Sequence, residues 1–489
     1  MRHKFIIYLI LIALLGFGLR LIDYTQVPVK GETKDEFMYP WAGMSLLKTG
    51  VPTSWSNFDA YKNFQKVKIW GEEYRLVTPW FDKPLLYPLI AGSLMLATGA
   101  TTFDQVNLSI LRLIPIILSC LSIFLLGLIT RKIFQEKIAL LASLLYTIIP
   151  TFVLSSRLSL VENLLIPLSL SAIYLLQDKL NTKKTIYLGI ICGLGLLTKQ
   201  IGIWIYFSAA LILFLNKQYK HLFYLTAIFA IFAGIFFLSL ITYDLSLYLK
   251  VMSNFRIAHA LSGLPELLTS IFRFPGISQK SQPFLDGSIL LGLILLLSSP
   301  LWLKPSKPNL NILSEQSIKN QSLALTDKKL SFMFFPFLYL LFLSAVESSA
   351  PAYGYFGWHI YPIFPFLAIV LAKFFMEIYQ NLDIPKLILL IFTIGASSIR
   401  FIFLTLPREA LYRWQYVYLV LIIFCGLVFF SFILNAKYPP AITYAKHWRA
   451  GKILNTKKAL LGLFIVYLLI NIYTVINLKI IYPSIPPLP

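Results

Sequence analysis

LSILRLIPIILSCLSIFLLGLIT, residues 108–130, followed at once by Arg131-Lys132, decides what kind of protein this is. Its one charge, Arg112, lies near its start, and the rest is apolar for long enough that a helix rising ~1.5 Å per residue crosses a hydrocarbon core of about 30 Å. Runs of the same kind recur on both sides of it. They predict spans near 4–22, 108–130, 138–155, 160–177, 185–199, 201–215, 221–243, 286–303, 331–346, 359–376, 386–405, 414–435 and 458–478, about thirteen in all. Composition agrees, with 58% hydrophobic and 13% charged residues against roughly a quarter charged in a soluble domain. The expected fold is an all-α polytopic membrane bundle forming one transmembrane domain over residues 1–489, with no soluble domain.

A net charge of +22 in a soluble protein would point to nucleic acid. Here the Lys and Arg residues sit mostly in short breaks between apolar runs, so membrane topology accounts for them and no nucleic-acid partner is expected. With the basic N-terminus inside, the breaks at 131–132, 178–184, 216–220, 304–330, 380–386 and 436–458 become cytoplasmic and hold most of the basic residues outside the first loop. Residues 304–330, rich in Ser, Asn, Gln and Lys, read as a cytoplasmic linker. No small-x-small cleavage site follows the first apolar run before Arg20, so residues 4–22 read as a retained span. Cys120, Cys192 and Cys425 all lie in apolar runs, which argues against a disulfide framework or a thiolate metal site.

The apolar stretch Leu85 to Thr98 is short for a span, and counting it as one would invert the loops that follow. It reads instead as a helix in the interface of the non-cytoplasmic leaflet, beginning at Lys83-Pro84. Two long loops, 23–107 and 244–285, then face the non-cytoplasmic side of a multi-pass plasma-membrane protein.

Ionisable residues concentrate in the first of these loops. The 21 acidic residues of the chain include Asp23, Glu32, Asp35, Glu36, Asp59, Glu72, Glu73 and Asp82 in this loop alone. Asp35-Glu36 opens a stretch, Phe37 to Leu47, that reads as amphipathic and able to lie on the bilayer surface with its carboxylates at headgroup depth. Asp82-Lys83-Pro84, flanked by Trp80, Phe81 and Tyr87, places a cation where a lipid phosphate would sit, although aromatic and Lys anchors at interfaces have the same look. Arg157 and Glu162 share a tight connection between two spans, where mutual pairing is the plain alternative, and Lys199 ends an outward-going span. Tyr355 and His359 belong to an aromatic loop, while Arg256, His259 and Arg273 are the cationic candidates in loop 244–285.

Taken in order, Asp35-Glu36, Asp82-Lys83-Pro84, Ser156 to Glu162, Gly195 to Lys199 and Tyr361 to Pro365 resemble the motifs of the GT-C superfamily of polyprenyl-phosphate-sugar glycosyltransferases. The group of protein O-mannosyltransferases and lipid A aminoarabinose transferases is the most similar. Asp82 stands where that family often has Glu, and Glu162 where it often has Asp. The resemblance implies a donor carried on a polyprenyl phosphate, a protein, lipid or glycan acceptor, and membrane lipid as the medium. It also implies Asp35 as the base, with Glu36 beside it, and inversion at the anomeric carbon.

Such a donor has a good leaving group, so the reaction needs no dedicated acid. It needs a base for the acceptor proton, cations for the phosphate and a site closed to water. Lys83 is the expected phosphate contact, with Arg256 as its partner. The absence of a nucleotide-binding Gly-rich fingerprint fits a lipid-linked donor. No metal is assigned: a divalent cation beside Asp35 and Asp82 is what the carboxylates would allow, but the chain has five His and the resemblance is to metal-independent enzymes. The rival reading is a transporter or lipid flippase, which would be expected to place ionisable or helix-breaking residues near the bilayer midplane, often in two related halves.

Overall fold

The computed structural model describes residues 2–257, 287–302, 334–344, 357–380 and 450–481. Helix α1 spans Arg2–Leu21, and the long first loop follows it. That loop folds into α2 (Asp35–Thr49), three strands β1 (Ser54–Trp55), β2 (Gln65–Ile69) and β3 (Glu72–Val77), and α3 (Leu86–Ala97). The bundle resumes with α4 (Leu108–Leu111), α5 (Leu113–Ile133), α6 (Glu136–Ile148), α7 (Pro150–Ser155), α8 (Glu162–Leu176), α9 (Thr182–Thr198), α10 (Ile203–Leu215), α11 (Tyr219–Tyr243) and α12 (Leu245–Ile257). Later described segments are Gly287–Leu297, Ser299–Trp302, Phe334–Ser344, the 3-10 turn Gly357–Ile363, Phe364–Gln380, Ala450–Ile476 and Leu478–Ile481.

Among the described residues, four helical stretches are long and apolar enough to cross a membrane: His3–Leu21, Leu108–Ile133, Tyr219–Tyr243 and Trp358–Gln380. All four coincide with expected spans. The expected span 138–155 is broken in two. Pro150 lacks an N–H and holds Ile149 in an extended conformation, so α6 ends and α7 begins afresh with the proline in its first turn. The expected spans 386–405 and 414–435 and the linker 304–330 lie outside the described residues.

The all-α expectation needs a correction in the first loop. β1, β3 and β2 form an antiparallel sheet in that order, with Val67 opposite Tyr74 and Ile69 opposite Glu72. Tyr74, Leu76 and Ile69 are buried, while Gln65, Lys66, Lys68, Glu72 and Glu73 are exposed, the alternation of a half-buried strand pair. The hairpin turns at Trp70-Gly71, both with positive φ (51° and 83°), as a two-residue turn of the primed type demands.

The surface-lying reading of residues 37–47 is also revised. Helix α2 is buried on every side from Glu36 to Ser45, because α3 and the sheet enclose it. Trp41 stacks on Phe103 at 5.3 Å, and its indole N–H donates to the Phe103 carbonyl at 3.0 Å. Ser54 donates to the Met38 carbonyl at 2.8 Å, and the Trp55 indole to the Lys34 carbonyl at 2.9 Å. Where α2 crosses α3 the two backbones touch: a Cβ on Gly43 would lie 1.8 Å from the Pro88 carbonyl oxygen. Alanine is favoured over glycine inside a helix by about 1 kcal/mol, but overpacking against rigid backbone costs about 1–3 kcal/mol. The clash therefore decides the sign, and Gly43→Ala is expected to lower the thermal midpoint of the solubilised protein.

Below the loop, α5 packs against α1, α6 and α8, α9 against α11, and Phe364–Gln380 against α6. The rim of the bundle is apolar and open. On α11, Phe223 is 70% exposed, and Ile231, Leu238 and Ile241 are also largely uncovered, a surface suited to lipid rather than water. At the far end of α5, Lys132 and Lys184 both pair with Asp178, at 2.8 and 3.3 Å, and Arg131 pairs with Glu136 at 2.5 Å.

Candidate functional site

The first turn of α2 presents Asp35 and Glu36, whose environments differ. Glu36 is completely buried and fully engaged. Arg112 Nε and Nη2 donate to its two oxygens at 3.0 and 2.8 Å, and the Ser159 backbone N–H donates to Oε1 at 3.0 Å. The Arg112 Nη1 donates onward to the carbonyls of Tyr24 and Pro28, at 2.9 and 2.6 Å. One guanidinium therefore joins the start of α5 to α2 and to the chain leaving α1. Asp35, by contrast, is half-buried, and its own backbone N–H donates to Thr33 Oγ1 at 3.2 Å.

Two more buried arginines fasten the same region without a carboxylate. Arg157 donates to the carbonyls of Leu19 (2.9 Å) and Val27 (3.2 Å). Arg20 donates to Ser156 Oγ at 2.7 Å and to the carbonyls of Gly16, Thr147 and Tyr146. Carbonyl oxygens and a hydroxyl thus take up most of the donors that burial would otherwise leave unmet. Glu162, at the start of α8, meets Lys199, just past the end of α9, at 2.8 Å, with both side chains 1% exposed. The plain pairing of Arg157 with Glu162 is not what forms; each finds other partners. Ser159, on the connection that leads to Glu162, shares a 2.8 Å hydrogen bond with Tyr87 of α3. Tyr361 lies within electrostatic reach of Glu32, Glu36 and Glu162.

Asp82 is buried between the sheet and the bundle. Tyr61 donates to its Oδ1 at 2.8 Å and Ser56 also bonds it, while Gln200 Nε2 approaches its carbonyl at 3.4 Å. Burial pushes the Asp82 carboxyl up to about 7; the hydrogen bonds from Ser56 and Tyr61 and the charge of Lys83 oppose that rise, and the nearby Asp35 adds to it. Lys83 faces a cavity of about 210 Å³ lined by Trp80, Leu85, Leu89, Leu197, Phe236 and Tyr248 among others. Helix α11 gives Phe236, Ser239 and Leu240 to that cavity, while Leu238 and Ile241 stand 64% and 63% exposed on the outside.

Of the expected site residues, Asp35, Glu36, Asp82, Lys83, Arg157, Glu162 and Lys199 gather at the loop end of the bundle. His359 is buried in the turn Gly357–Ile363, where its carbonyl accepts from Tyr339. Arg256 falls in α12, and Tyr355 lies outside the described residues. Among the described residues no group of three or more His, Cys, Asp or Glu side chains is placed to hold a metal ion. Residues that sequence reasoning passed over are Arg112, Tyr61 and Gln200. Arg112 had a signal, as the one charge in residues 108–130.

The described residues form a helical bundle with α2, a small sheet and α3 folded over one end, where Asp82 and Lys83 stand at an apolar cavity. Residues 82–243 match the family model described as dolichyl-phosphate-mannose-protein mannosyltransferase. The fold is that of ArnT from Cupriavidus metallidurans, solved bound to undecaprenyl phosphate: TM-score 0.54 at 11% identity, over 97% of this chain and 78% of that one. The archaeal oligosaccharyltransferase AglB from Archaeoglobus fulgidus, solved with an inhibitory peptide and a dolichol-phosphate, gives a TM-score of 0.47 at 13% identity, over 88% of this chain and 55% of that one. Among curated proteins no match is found. The family match covers about a third of the chain, and the likeness to ArnT is one of fold.

Proposed function

We propose that the protein transfers a sugar from a polyprenyl phosphate to an acceptor hydroxyl or amine on the non-cytoplasmic face of the plasma membrane, inverting the anomeric carbon. The observation that carries this reading is the apolar cavity with Lys83 on its wall and Asp82 and Asp35 close by. An isoprenoid chain suits such walls, and a phosphate at its end suits the ammonium. The acceptor oxygen or nitrogen forms a bond to the anomeric carbon as the bond from that carbon to the phosphate oxygen breaks. Its proton passes to Asp35, and the electron pair leaves with the lipid phosphate, which Lys83 stabilises, with Arg256 as the proposed second cation. Glu36, held by Arg112 and Ser159, fixes the first turn of α2 on which Asp35 stands. Glu162, Lys199, Arg157, Tyr355 and His359 complete the proposed binding region, and the full topology is the thirteen-span arrangement with loops 23–107 and 244–285 outside.

The test supplies membranes containing the protein with radiolabelled polyprenyl-phosphate sugars, one at a time, and a native envelope extract as the acceptor source. Label is expected to leave the lipid fraction with one donor. Lys83→Met removes a charge-assisted contact of about 1.5–3 kcal/mol, so the donor concentration for half-maximal rate is expected to rise about 10- to 100-fold. Release by no donor would favour the transporter reading, and equal saturation by both proteins would remove Lys83 from the phosphate site.

A further inference from the structure

Tyr61 belongs to none of the motifs that carry the family likeness, yet it is 3% exposed and bonded twice inside the first loop. The Phe81 backbone N–H donates to its phenol oxygen at 2.8 Å, so its single proton is directed at Asp82 Oδ1, also at 2.8 Å. Burial and the Asp82 charge both hold the phenol protonated. Ser56 bonds Asp82 from the start of the sheet region, and Phe81 packs edge-on against Tyr248 of α12, which lines the cavity beside Lys83. The titratable groups facing Asp82 are Tyr61, Lys83 and Asp35.

We propose that Tyr61, with Ser56, is a positioning residue that holds the Asp82 carboxyl in fixed relation to Asp35 and Lys83, so that the proton on Asp82 sets the working charge of the site. Its bearing on catalysis rests on the transferase reading above. When Asp82 is ionised, a second negative charge near Asp35 makes Asp35 a stronger base towards the acceptor. When Asp82 holds its proton, that influence is lost. Both Tyr61 and Ser56 donate to the carboxylate form and favour it against the cost of burial. Transfer therefore rises as pH climbs through neutrality, and the phenol fixes where that rise occurs.

The experiment uses the full chain in lipid nanodiscs and follows protonated-carboxyl bands by difference infrared spectroscopy from about pH 5 to about pH 9, a window well above the ordinary carboxylate range. One band is expected to disappear near neutrality in the wild type and to be missing in Asp82→Asn. In Tyr61→Phe, which keeps the buried ring, its midpoint moves up by about one pH unit, and Ser56→Ala moves it the same way. A midpoint unmoved in both variants overturns the clamp. In parallel, the acid limb of the transfer rate in Tyr61→Phe should move upward by the same amount; a limb that stays while the band moves overturns the link to catalysis. Should no donor be turned over, the transferase reading fails alone, and the infrared midpoints still decide the clamp.

Discussion

Arg112→Met is expected to destabilise the folded protein by about 3–5 kcal/mol, the cost of leaving a buried carboxylate without its partner. Glu36 would keep only the Ser159 N–H among its present donors, and the carbonyls of Tyr24 and Pro28 would lose theirs. Thermal unfolding of the solubilised protein, followed by size-exclusion chromatography after heating, measures the loss. The double variant Glu36→Gln with Arg112→Met removes the stranded charge and should recover part of the lost stability. A single Arg112→Met variant that melts with the wild type would mean that Glu36 is served by water or by a proton in place of the guanidinium. The surface pair Lys66 and Glu73, 2.8 Å apart with both side chains more than 60% exposed, gives the contrast: water screens it, and removing either should leave the thermal midpoint essentially where it is.

Asp35→Asn should leave the fold in place and lower transfer by about 100- to 10,000-fold, the usual contribution of a positioned base. The side chain is half-buried at a helix start, and the asparagine keeps its shape, so the thermal midpoint should move little. Turnover and binding separate the explanations. With the donor in excess, the rate falls while affinity for undecaprenyl phosphate, measured on the nanodisc-embedded variant, holds. Equal rates in wild type and variant would exclude Asp35 as the base. A matched loss of affinity and rate would assign it to donor binding.

The four long apolar helices were legible because crossing a bilayer takes about 20 apolar residues, and a run such as 108–130 has few other uses. The break at Pro150 was visible in the sequence too, yet the apolar run continues through it and hides the interruption. The sheet was missed for a related reason. Gln65 to Ile69 and Glu72 to Val77 alternate at the strand period around Trp70-Gly71, but the longer apolar stretches on either side suggest interfacial helices and mask it. Helix α2 looked one-sided because sequence shows which residues are polar, not which neighbours will close over them; Gly43 against Pro88 is a contact between segments 45 residues apart. The carboxylates and Lys83 stood out because charge is rare in this chain. Tyr61 and Gln200 did not, since a tyrosine or glutamine in a polar loop is ordinary until a buried partner such as Asp82 is placed beside it.

Helix α11, with one side on the Lys83 cavity and the other uncovered, sets the units in which the proposed donor must be counted. A lipid arriving across that helix is drawn from a two-dimensional pool, so the quantity that saturates the protein is the donor's mole fraction in one leaflet. Diluting the vesicles tenfold with buffer should leave the rate per protein unchanged; diluting the donor tenfold with inert phospholipid should not. On that proposal the spent carrier would return to the same sheet of lipid from which the next donor comes, and the two would compete there for Lys83 by their ratio, whatever the volume of water outside.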